Sequence, residues 1–149
     1  MGNLSSSTIN KVNYEDMQYI VSHPSDYILI NTMTLVEQGC LIKNTMPLER
    51  EEHVINQCLS KGLKDHTIVI YGKNCNDESP YHKYKQLVSL GFYQVYMYCG
   101  GMFEWLLLQD IYGEQEFKTT SKELNLLKYK PVNILFDNSR FDNTRLLEY

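Results

Sequence analysis

The stretch Thr67–Gly113, TIVIYGKNCNDESPYHKYKQLVSLGFYQVYMYCGGMFEWLLLQDIYG, constrains the fold more than any other part of the chain. Thr67–Tyr71 is a continuous β-branched and aromatic run, the pattern of a strand buried on both faces of a parallel sheet. A polar loop follows from Gly72 to Glu78. Ser79 as N-cap with Pro80 at the first helical position then opens a helix. Tyr81, Tyr84, Leu87 and Val88 form its apolar stripe, and Gly91 supplies a left-handed stop. Gln94–Tyr98 reads as the next strand, Gly100-Gly101 as a tight turn, and Met102–Ile111 as a helix apolar on nearly every side. Strand, loop, helix, strand is one right-handed crossover, and reactive groups in such sheets belong at the carboxyl ends of the strands.

The rest of the chain supplies further elements. Asn13 caps a helix from Tyr14 to about Val21 that turns Met17, Ile20 and Val21 inward. Tyr27–Ile30 is a second buried strand ending at Asn31. Pro47–Lys61 is a helix with Val54, Ile55, Cys58 and Leu59 on one face, stopped by Gly62. Lys122–Lys128 is expected to form a short helix, interrupted by Pro131. The fold class is therefore α/β: a central parallel sheet of about five strands between two helical layers. Residues 1–8 read as a flexible start and 9–113 as the domain. Residues 114–149 read as an extension that packs on it or is partly disordered.

Composition narrows the function. The 149 residues carry a formal charge of -4, and no basic face accompanies the twelve tyrosines, so no nucleic-acid partner is expected. Tyr81, Tyr84, Tyr96 and Tyr98 are expected to pack around the central unit with their hydroxyls reaching the surface. Cys40, Cys58, Cys75 and Cys99 lack metal-ligand spacing, so no metal and no cofactor is expected, and free thiols point to an intracellular, cytoplasmic protein. No apolar run approaches the length of a membrane span. Met1 to Ser6 fits a myristoylation pattern, which makes Gly2 a candidate lipidation site beside the plainer reading of a Ser-rich start. One acyl chain with only Lys11 nearby would give weak, reversible membrane or virion association.

Ile68–Tyr71, Cys75, Leu90-Gly91-Phe92, Val95-Tyr96, Gly100-Gly101-Met102 and Trp105 together resemble the rhodanese-like domain. The longer GGMFEWLLLQDIYG resembles a branch of it seen in protists and large DNA viruses. The resemblance implies a three-layer sandwich and sulfurtransferase chemistry, with a small sulfur-containing anion as substrate and a persulfide on Cys75. Gly72, Lys73, Asn74, Asn76 and Lys83 would then bind that anion, helped by loop amides at a helix amino end. It equally implies an alternative, a catalytically inactive module that binds a protein partner.

Departures from the family bear on that choice. The usual catalytic cysteine directly follows the strand, where this chain has Gly72. The usual anion-binding arginine is missing. Tyr81 stands six residues after Cys75, so a Cys-x5-Arg phosphatase loop is absent. The usual Asp and Arg after the second strand are Asn31 and Met33. Asp77 and Glu78 raise the pKa of a neighbouring thiol and repel anions, unless Lys73, His82 and Lys83 fold over the loop. Cys99, at the end of the strand neighbouring Thr67–Tyr71, is a candidate resolving thiol for an oxidised or persulfidated Cys75. A small residue packed beside the glycine turn is the other reading.

Overall fold

The computed structural model describes residues 8–136. Four strands form one parallel sheet: β1 (Lys11–Val12), β2 (Tyr27–Asn31), β3 (Thr67–Tyr71) and β4 (Val95–Tyr98), in the order β1-β4-β3-β2. Four helices flank it: α1 (Tyr14–Val21), α2 (Leu48–Ser60), α3 (Ser79–Ser89) and α4 (Gly101–Tyr112). Among the described residues the sheet thus has four strands rather than about five, and its fourth is a two-residue pairing of Lys11–Val12 with Met97–Tyr98. A strand so short carries no sequence periodicity, so Lys11–Val12 gives no strand signal of its own.

β3 is central and pairs with β2 and β4, Ile68 opposite Ile28 and Val95. Its period-2 pleat sends Val69 and Tyr71 to one face and Ile68 and Ile70 to the other. The first face joins α1 and α4 through Met17, Ile20, Leu29, Tyr98, Met102 and Trp105. The second joins α2 and α3 through Ile55, Cys58, Tyr84, Leu87 and Phe92. Ile68, Val69 and Ile70 are fully buried, each stabilising the fold by about 1.5–3 kcal/mol relative to exposure. The three-layer sandwich follows from that strand.

Several elements differ in detail from expectation. The buried side of α3 is Pro80, Tyr84 and Leu87, whereas Tyr81 and Val88 are exposed. An eleven-residue surface helix buries only a narrow stripe against the sheet. On α4, Leu107, Ile111 and Tyr112 face outward while Met102, Trp105, Leu106 and Gln109 are buried. The helix expected over Lys122–Lys128 is replaced by a 3-10 turn at Leu126–Tyr129. It leaves Leu124 and Leu127 exposed and buries Tyr129 instead.

Residues after Gly113 cross the α1/α4 face. Phe117 packs edge-on to Trp105, with ring centroids 5.0 Å apart. The Trp105 Nε1–H donates to the Lys118 carbonyl at 3.0 Å, and the Gln109 side-chain amide donates to the Phe117 carbonyl at 2.7 Å. Two buried donors on α4 are satisfied only by this segment, which ties it to the core.

Candidate functional site

The loop after β3 begins at a rigid point. Tyr71 is fully buried; its hydroxyl accepts from the Ile42 N–H at 3.1 Å and pairs with the Thr45 hydroxyl at 2.7 Å. Burial pushes the phenol well above its ordinary range. The hydroxyls of Tyr71, Tyr84 and Tyr98 are all engaged internally, on Ile42 and Thr45, Asn10 and Glu104 respectively. Those of Tyr84 and Tyr98 therefore do not reach the surface as expected, because a hydroxyl carried into the core needs a partner there.

The glycine turn lies directly on the loop. The Met102 and Phe103 amides donate to the carbonyls of Gly72 and Lys73, each at 2.9 Å. Gly101 adopts φ 69°, and a Cβ there would stand 2.8 Å from the Gly72 carbonyl oxygen and 2.9 Å from the Asn74 nitrogen. Only glycine combines that left-handed backbone with so close an approach.

Asp77 organises the remainder. Its Oδ2 accepts from the Lys73 N–H at 2.8 Å. Its Oδ1 accepts from the Ser79 N–H at 2.9 Å and the Ser79 hydroxyl at 2.7 Å. A side chain at position 72 would run into Asp77 Oδ2 and lie 2.6 Å from Pro80 Cγ. The carboxylate therefore fills the space beside Gly72 and holds amides at both ends of the loop. Ser79 is the first residue of α3 rather than its N-cap; the capping oxygen comes from Asp77. An aspartate two residues before Ser-Pro at a helix start is a side-chain turn signal legible in the sequence, but the signal does not say on which side of the loop the carboxylate lies.

Lys73, Lys83 and Asn74, expected to bind an anion, have other duties. Lys73 pairs with Glu37 at 2.7 Å and Lys83 with Glu51 on α2 at 2.7 Å. Burial alone would raise the Glu37 pKa, but Lys73 and the Thr34 donors outweigh it and the carboxyl sits below its ordinary value. Neither lysine is free to fold over the loop in the manner needed to offset Asp77. Asn74 is buried: its side-chain amide donates to the Tyr129 carbonyl at 2.9 Å and its Oδ1 accepts from the Asn76 N–H at 2.9 Å. That bond couples the loop to the segment after Gly113, a role with no local sequence signal because the partner is 55 residues away.

Cys75 is exposed, at the carboxyl side of β3, with its Sγ 3.8 Å from Asn76 Oδ1. Cys99 is partly buried just past β4, whose Tyr98 stands in register with Tyr71. Both thiols thus lie beyond the same ends of adjacent parallel strands. Cys40 and Cys58 are buried, which raises the pKa of both. The positions of the family's charged pair hold Asn31 and Met33; Asn31 is buried and bonded to the Gln38 side chain at 2.8 and 3.1 Å. Gly2 lies outside the described residues, and among those residues no helix is long and apolar enough to cross a membrane.

With this geometry in place, similar solved structures identify the fold. The chain is similar to the Alr3790 protein from Anabaena sp. at 18% identity, over 78% of this chain and 97% of that one, with a TM-score of 0.54. It is similar to Ygr203w, a yeast protein tyrosine phosphatase of the rhodanese family, at 12% identity over 82% and 99%, TM-score 0.54. The Saccharomyces cerevisiae single-domain sulfurtransferase RDL2 is similar at 13% identity over 70% and 94%, TM-score 0.51. No family model and no curated protein matches the sequence. The fold is the rhodanese-like α/β fold.

Proposed function

We propose that this protein is a rhodanese-like module without sulfurtransferase activity, which acts by binding or regulating a protein partner. One observation carries the reading: the Asp77 carboxylate occupies the space beside Gly72 and takes the Lys73 and Ser79 amides. In the family the nucleophile follows the strand directly, at the position of Gly72, and backbone amides at the helix amino end cradle its anionic intermediate. Here the Asp77 side chain takes amides of that loop for itself. Partner binding is supported by Leu35 and Val36, 78% and 92% exposed beside the Glu37–Lys73 pair at the loop.

Sulfur transfer through Cys75 is the second reading, favoured by the exposure of that thiol in the loop between β3 and α3. In it, Cys99 serves as resolving thiol. Phosphatase chemistry is not proposed, since Tyr81 replaces the arginine it needs. A myristoylated Gly2, a cytoplasmic site of action and an origin in the protist and viral branch remain proposals resting on the sequence patterns alone.

A thiosulfate–cyanide assay on the wild type and Cys75→Ser decides between the readings. The expected result is no turnover above background in either. Wild-type turnover that disappears in Cys75→Ser overturns the inactive-module reading and establishes the second.

A further inference from the structure

A cleft of about 410 Å³ opens at the opposite edge of the sheet, between α1 and the amino ends of the strands. Its origin is the pleat: Tyr27, Val69 and Tyr96 point to the face that α1 and α4 cover, and α1 is only eight residues long. The rings of Tyr27 and Tyr96 form the rim of the core and become walls of the cleft, together with Tyr19. Tyr19 and Tyr27 meet edge to face, with centroids 6.3 Å apart. The floor is apolar, made by Ile20 and the fully buried Val69. The volume lies within the range of about 300–1,000 Å³ typical of small-molecule sites.

The polar groups at this cleft are mostly donors. Tyr27 and Tyr96 are half-buried, and neither hydroxyl has a hydrogen-bond partner among the described residues. Burial, then Tyr19, Asp26, Tyr96 and Asp16, push the Tyr27 phenol above its ordinary value, so it remains a protonated donor. Lys11, at the rim, forms no ion pair among the described residues. Asp16 also lines the cleft, but its Oδ2 accepts from the Asn13 N–H at 3.0 Å in the first turn of α1. The positive end of the helix compensates that carboxylate. Free phenol and ammonium donors above an apolar, ring-walled floor fit a flat apolar body bearing one acidic group.

We propose that this cleft is a binding site for a small aromatic carboxylate. The ring lies among the tyrosines, and the carboxylate meets Lys11 and the phenol hydroxyls. The proposal is independent of the loop and of its activity.

Indole-3-acetate followed by 15N–1H NMR provides the test, with tryptamine as the same ring carrying a cation. Indole-3-acetate is expected to shift the amides of Lys11, Thr67 and Gln94 saturably, leaving those of Asn74 and Cys75 in place. Lys11→Ala, a change at an exposed residue that the fold tolerates, should weaken binding about five-fold, the upper end for an exposed ion pair. Tryptamine should bind weaker than indole-3-acetate by at least a similar factor. Absence of saturable shifts at this edge overturns the proposal. So does equal affinity for tryptamine, or an affinity unchanged in Lys11→Ala.

Discussion

The Asp77 carboxylate stands where a side chain at Gly72 would project, held there by the Lys73 and Ser79 N–H groups at 2.8 and 2.9 Å. The two residues are complementary, since the absence of a Cβ at one makes room for the anion of the other. A loop built this way is satisfied without a ligand.

That complementarity predicts coupled stabilities. Asp77→Ala removes the cap of α3 and the Lys73 bond, at about 1–2 kcal/mol. Gly72→Ala forces the carboxylate out, at about 1–3 kcal/mol for an overpacked site. The double variant should cost less than the sum, because the Asp77 part of the clash vanishes with the carboxylate while the Pro80 contact remains. Urea denaturation of the four proteins measures the cycle; strict additivity would refute the contact.

Gly101→Ala should be among the most destabilising single-methyl changes in the chain. The added carbon meets backbone of Gly72, Lys73 and Asn74 within 2.9 Å, at a residue held at φ 69°. Left-handed strain alone costs about 1–2 kcal/mol, and the backbone contacts add to it. A midpoint of denaturation within error of the wild type would contradict the geometry.

Tyr71→Phe should cost about 1–3 kcal/mol by stranding the buried Ile42 N–H. Burial holds the Tyr71 phenol protonated well above the ordinary 10, against the opposing bonds from Thr45 and Ile42, and burial followed by the Glu104 carboxylate does the same for Tyr98. A raised pKa means that the folded state keeps a proton the unfolded state gives up. This stabilisation is complete below pH 10 and is lost as pH rises beyond it. Absorbance at 295 nm should show both tyrosines ionising only together with unfolding.

The Glu37–Lys73 pair gives the acid counterpart. Glu37 is held below 4.5, so its contribution is present above that pH and fades as pH falls through the lowered folded value. With side chains 18% and 35% exposed, the pair is worth less than about 1 kcal/mol. Glu37→Gln should therefore lower stability modestly at pH 7, and by less as the pH falls through the lowered folded value.

Thiol reactivity should follow exposure. Iodoacetamide is expected to label Cys75 first, Cys99 more slowly, and Cys40 and Cys58 only on unfolding, since burial raises both of their pKa values. Peptide mapping of a time course gives the order, and early labelling of Cys58 would contradict the packing.

The sequence by itself determined β2, β3, β4, their helices and the parallel crossover. Ile68-Val69-Ile70 can be buried only between two apolar layers, and Asn13, Gly62 and Gly91 punctuate the helices locally. These signals span a few residues, so they survive without knowledge of the fold. The place of Cys75 in the loop between β3 and α3 was legible for the same reason; its exposure is seen only in the fold. What only the tertiary structure decided involves partners distant in sequence or placed by the backbone's course. The two-residue β1 exists because Met97 and Tyr98 receive it. Lys73 and Lys83 look like free cations until Glu37 and Glu51 fold beside them. Asn74 becomes a clamp because Tyr129 arrives from 55 residues away. The meaning of Asp77 also waited on the fold. Its spacing to Ser79 announces a turn, but whether the carboxylate points outward as a repelling charge or inward as the loop's own anion depends on the course of the backbone between Gly72 and Pro80.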